Sequence, residues 1–155
     1  MNDNIKRSGV IPYTLTQSNK LLFMLGVDRS GDYSDWSGRI SKNDRDVYHT
    51  ASRELKEESL GSILFSPTRI EKGISFSGKS IMCTLVYAEP DEFLEYPIKF
   101  WKNYARCDKS KAEMHGIKCL TESELFECIE NEIIYDLIAE LLKEKLPEAI
   151  KKLQS

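Results

Sequence analysis

The stretch YHTASRELKEESLG, residues 48–61, packs five charged side chains into the six positions from Arg53 to Glu58, with Leu55 the only apolar residue among them. On a helix, residues three and four apart share a face. Glu54 therefore neighbours both Glu57 and Glu58, and Arg53 neighbours Glu57. Ala51 and Leu55, also four apart, supply the apolar stripe that docks such a helix on a sheet. Three carboxylates gathered this closely repel one another unless a cation sits between them. A hard divalent ion such as magnesium answers that need, because it takes oxygen ligands and keeps several waters. Arg53 can hold one carboxylate through a bidentate pair. Glu58 lies toward Leu55, where burial is costly without a partner or a metal. The plain alternative is a solvated helix face, the usual meaning of a charge run.

Upstream, GVIPYTL and KLLFMLGVD are short runs rich in β-formers, separated by the polar TQSN. They predict a hairpin whose second strand is largely buried. A long loop follows, DRSGDYSDWSGRISKNDRD, with one short strand near Trp36 to Ile40. Asp44 or Asp46 is placed to cap the acidic helix, and Gly61 to end it. Downstream, residues 63–90 alternate apolar runs with turn residues and predict two or three further strands. Residues 91–114 predict a helix broken near Pro97, and GIKCL a short strand. Thr121 and Glu124 have the spacing of a capping box. Ile134, Leu137, Ile138, Leu141 and Leu142 mark an amphipathic terminal helix, which Pro147 bends or restarts. With no repeat and no low-complexity linker, residues 1–155 read as a single mixed α/β domain.

The chain has 155 residues, 41% of them hydrophobic and 30% charged, with a net charge of -3. That suffices for one proper core and argues against overall disorder. It offers no global basic field for nucleic acid. No apolar run approaches the length of a bilayer crossing, which excludes a membrane helix. MNDNIKRSG lacks the apolar core of a signal peptide, so a cytoplasmic location is expected. No two of Cys83, Cys107, Cys119 and Cys128 are close enough for a zinc knuckle. Each reads as a free thiol acting as a small buried hydrophobe.

RELKEES resembles the Arg-Glu-apolar-x-Glu-Glu heart of the Nudix box, the signature of the Nudix hydrolases. In that resemblance Gly38 is the loop glycine, Asp44 (less so Asp46) the early acid, and SLG with Ile63 the close of the box. The order of elements is similar over residues 8–145. The chain departs from the pattern at Ser37, where a second glycine is common. It departs again at Asp44, which replaces a glutamate and stands nine residues before Arg53, and at Leu60, inserted before the closing glycine. The spacing is most similar to the Nudix proteins of large DNA viruses and other divergent members, which would place it in a host cytoplasm. The implied fold is an α/β/α sandwich, its mixed central sheet flanked by the box helix and a C-terminal helix.

The resemblance also implies a function: Mg²⁺- or Mn²⁺-dependent hydrolysis of a diphosphate bond in a nucleoside diphosphate joined to another group. Glu54, Glu57 and Glu58 become metal ligands, one of them doubling as the base. Arg53 orients them, Gly38 lets the loop backbone approach helix and substrate, and Glu113 brings a further carboxylate from a distant loop. His49 and His115 receive no role. For a base or ring, Trp36, Trp101 and Tyr104 are candidate platforms. Lys102 belongs to the stretch IKFWKNYARCDKSK, in which cations interleave with aromatics as phosphates and bases require. Such a segment suits a dinucleotide, a capped RNA end (hence decapping) or an inositol pyrophosphate, and the resemblance allows a homodimer. Two other classes stand beside this one. The first is a Nudix-like module that binds nucleotide or RNA without turnover, and the second a structural domain whose acidic helix meets a basic partner.

Overall fold

The computed structural model describes residues 4–154. The expected hairpin forms from β1 (Arg7–Leu15) and β2 (Leu21–Asp28), antiparallel with Tyr13 opposite Phe23 and Leu15 opposite Leu21. The two strands stay paired only near their turn and then part. Beyond the split, β3 (Tyr33–Ser34) pairs with the far end of β2, and β4 (Trp36–Arg39) with the start of β1. The other edge of β1 runs parallel to β6 (Ile81–Tyr87), which pairs in turn with β5 (Ile74–Gly78). The other edge of β2 is taken by β7 (Met114–Thr121). The result is a mixed seven-stranded sheet.

Alternation along the strands divides the core in two. Ile11, Phe23, Leu25 and Leu85 face α4 (Glu122–Glu130) and α5 (Asp136–Leu153), through Leu125, Ile138, Leu142 and Leu146. Val10, Met24, Trp36 and Val86 face the opposite layer. There α1 (Val47–Glu58) contributes Ala51 and Leu55, α2 (Pro67–Glu71) contributes Ile70, and α3 (Pro90–Arg106) contributes Phe93 and Phe100. Helices on both faces of a mixed sheet make the predicted α/β sandwich.

Several local expectations change. The helix α2 replaces part of the segment read as strand: Ser66 caps it, with Pro67 in its first turn. Neither Pro97 nor Pro147 breaks its helix. Buried Phe93, Tyr96 and Phe100 anchor α3 on both sides of Pro97, and buried Leu146, Ala149 and Ile150 do the same around Pro147. Packing thus outweighs the missing N–H. Ile134 precedes α5 rather than lying on it, and Leu137 is 48% exposed. The four cysteines are unpaired, but only Cys83 is buried and Cys119 is exposed. Thr121 and Glu124 close the predicted capping box.

One irregularity sits at the sheet edge. Val27 pairs with Gly116, yet Asp28 pairs with Met114, so His115 is an extra residue bulged out of β7. Tyr104 and the Ala112 carbonyl hold its ring, 2.8 and 3.1 Å from Nδ1 and Nε2.

Candidate active site

The helix α1 starts where Asp46, not Asp44, accepts from the Tyr48 and His49 amides at 3.0 and 2.9 Å. It ends on two left-handed residues, Leu60 (φ 57°) and Gly61 (φ 78°). Leu60 pays roughly 1 kcal/mol for that conformation. Its carbonyl accepts from Asn103 at 2.8 Å, which ties the helix end to α3.

Asp44 is freed from capping for a different task. Arg53 grips it through Nε and Nη2, at 3.1 and 2.9 Å, and Ser41 N and Thr50 Oγ1 donate to it as well, each at 2.8 Å. These donors, Arg53 foremost, hold the Asp44 carboxyl well below the usual range. The same guanidinium donates to the Arg39 carbonyl at 3.1 Å, to Glu54 at 2.8 Å and to Glu57 at 3.4 Å. One side chain therefore bolts the loop after β4 to the helix and hydrogen-bonds two of the helix's glutamates.

The four glutamates do not group as expected. Oxygens of Glu54, Glu58 and Glu113 lie within 4.8 Å of one another, so Glu113 joins two members of the helix. Glu57 stands outside that triangle with its side chain 58% exposed, at the cleft wall. Glu58 is buried and accepts from the Ser37 amide at 2.8 Å. Burial pushes its carboxyl up to about 10, helped by Glu113 and by the charge of Asp35. Burial also raises Glu54, against the pull of Arg53. A carboxylate buried beside other carboxylates in this way is one that a cation would relieve. The donor set, three hard oxygens at mutual ligand distance, fits a magnesium or manganese ion.

A cleft of about 360 Å³ opens beside the triangle, its lining made of the carboxylates Glu57, Glu58, Asp108 and Glu113 together with Leu60, Cys107 and Ala112. Lys111 is the one cation among the described residues of its lining. That size falls within the usual range for a small-molecule site.

The predicted substrate contacts fare less well. Trp36 is wholly buried and donates its indole N–H to the Met24 carbonyl at 3.1 Å, so it is core and no platform. Gly38 acts by absence, since a Cβ there would overlap the Glu54 carboxylate. The glycine makes room for a ligand candidate rather than for substrate. Trp101, Lys102 and Tyr104 lie on α3 outside the cleft lining. Of the cations in that region, Lys109 sits 5.0 Å over the Tyr104 ring, and Lys111 is the one that reaches the cleft.

Asp35 escaped the sequence reading altogether. It is buried beneath the site, accepts from Ser34 and Ser37 hydroxyls at 3.1 and 3.0 Å, and keeps Oδ2 without a partner among the described residues. Burial raises it to about 6. The signal was the serine on either side of the Asp35–Trp36 pair, ready to satisfy a carboxyl folded inward with an aromatic.

No family sequence model matches this chain, and no curated protein matches it by sequence. Solved structures do. A mutT/nudix family protein from Listeria innocua superposes with a TM-score of 0.55 at 15% identity, over 99% of this chain and 99% of that one. The Ap4A hydrolase of C. elegans gives 0.54 at 13% identity, over 97% and 98%. A pyrophosphohydrolase of Bacillus subtilis gives 0.53 at 17% identity, over 99% and 84%. Likeness at this identity establishes fold.

Proposed function

We propose that this chain, which has the Nudix fold, is a divalent-metal-dependent pyrophosphohydrolase acting on a nucleoside diphosphate linked to another group. One observation carries the reading: Glu54 and Glu58 from α1 and Glu113 from the segment before β7 converge beside a cleft of ligand size. The neighbours of like fold include an Ap4A hydrolase and a pyrophosphohydrolase, which supports a phosphorylated nucleotide or an RNA end as substrate class.

Glu54, Glu58 and Glu113 would hold a magnesium or manganese ion. When bound, the ion supplies neutralisation of diphosphate oxygens and acidification of a water. The chain's own groups do the rest. Ser37 N fixes one Glu58 oxygen, leaving the other for the cation. Arg53 keeps Glu54 and Glu57 from splaying into solvent. Glu57, exposed on the cleft wall, accepts the proton of the attacking water. Lys111, which also lines the cleft, would meet phosphate oxygens of a bound diphosphate. Leu60, Cys107 and Ala112 give the leaving group an apolar wall that excludes water.

The test is a panel of dinucleoside polyphosphates, nucleoside diphosphate sugars, capped RNA and inositol pyrophosphates, each assayed with Mg²⁺ and Mn²⁺. Turnover of one class, at least 100-fold lower in Glu58→Gln, is the expected result. Tight binding across the panel with no product in either metal would instead identify a nucleotide- or RNA-binding module.

A further inference from the structure

The helix α3 carries an apolar stripe that nothing among the described residues covers. Leu94, Ile98 and Trp101 are 61%, 55% and 47% exposed, spaced four and three apart on the face turned away from buried Phe93, Tyr96 and Phe100. Exposed Ala105 continues the line four residues on. A lone exposed leucine needs no explanation, but a continuous row on one helix does. Trp101 is also held rigidly: its ring stands edge-on to Phe100 and Tyr104, with centroids 5.3 and 5.5 Å away. A pre-ordered aromatic on a protein surface is the usual anchor of an interface.

The charges beside the stripe say what covers it. Exposed Asp91 and Glu95 flank its first half, and exposed Lys102 and Arg106 its second, all on one side of the row, with exposed Lys99 a little further round the helix. None of the four side chains has an ion-pair or hydrogen-bond partner among the described residues. Asp91 and Arg106 are equidistant from the point between Ile98 and Lys99, and so are Glu95 and Lys102. A second α3 laid antiparallel across that point would set each acid against a base, with Ile98 and Trp101 of one copy against Trp101 and Ile98 of the other. A parallel copy would set acid on acid.

We infer that α3 is a two-fold interface, on which this chain pairs with a second copy of itself through Leu94, Ile98 and Trp101, in register by Glu95–Lys102 contacts across the axis. The arrangement is isologous, as closed dimers are. A helix of 17 residues spans about 25 Å, so the paired surface lies at the small end of specific interfaces and gives a reversible dimer. The C-terminal end of α3 leads into Cys107, which lines the cleft, so pairing would also brace one wall of the site.

Sedimentation velocity from low to high micromolar protein tests this, using the whole chain. The expected result is a wild type whose mass rises toward twice the monomer. Ile98→Glu should stay monomeric with unchanged circular dichroism. Glu95→Lys or Lys102→Glu alone should weaken association at least tenfold, because each places like charges at both symmetric contacts. Mixing the two variants should restore pairing as a heterodimer, since both contacts then join opposite charges. A wild type that stays monomeric at every concentration would overturn the inference. So would a dimer indifferent to Ile98→Glu, or single charge variants not rescued by mixing.

Discussion

Glu58 is the residue at which stability and function pull apart. Its carboxyl is raised from 4.5 to about 10 when no cation is present. A raised acid contributes stability that is complete below its ordinary value and is lost as pH climbs through the folded one. Asp35 acts in the same direction between 3.8 and about 6. Metal-free protein should therefore lose stability steadily from pH 5 to roughly 10, by at most about 1.4 kcal/mol per pH unit for one such group. Urea midpoints in chelator at several pH values measure the slope, and Glu58→Gln should flatten most of it. An unchanged slope in the variant would show that the strain lies elsewhere. Gly38 makes the complementary case. Gly38→Ala should leave the fold intact and cut turnover at least tenfold, because the new methyl displaces the Glu54 carboxylate. Full activity in that variant would mean Glu54 is not needed where it stands.

At the scale of elements, what was legible was what is local. The acidic helix announced itself because its carboxylates and its Ala51–Leu55 stripe follow one period, and the capping box of α4 because Thr121 and Glu124 satisfy each other within one turn. Thr121→Ala should lower stability by about 1 kcal/mol and leave turnover unchanged, which a paired melt and assay would register. Proximity across the chain was much less legible. Burial of Trp36 follows from the pairing of β4 with β1, and the lysine that reaches the cleft follows from the turn after α3. Neither the period nor the composition of their own segments encodes those facts. The two prolines misled for the same reason. Local propensity marks a break, while the tertiary contacts of Phe100 and Leu146 decide otherwise.

For the molecule as a whole, a metal that binds only the folded state adds stability in proportion to its excess over its dissociation constant. At a hundredfold excess that is about 2.7 kcal/mol. Magnesium or manganese should raise the melting temperature, with Glu58→Gln insensitive to both; an identical shift in wild type and variant would place the ion elsewhere. Assembly of this centre needs both halves of the chain, for α1 alone supplies only two corners of the triangle and Glu113 completes it. The third corner depends on a single extra residue. Because His115 is looped out of register between Met114 and Gly116, everything N-terminal to it is rephased against β2. Were the bulge flattened, with His115 drawn into the ladder opposite Asp28, Glu113 would move on by one position and turn toward the other side of the sheet. A slip of one residue at a sheet edge would thus disband the acidic cluster, with every letter of RELKEES intact.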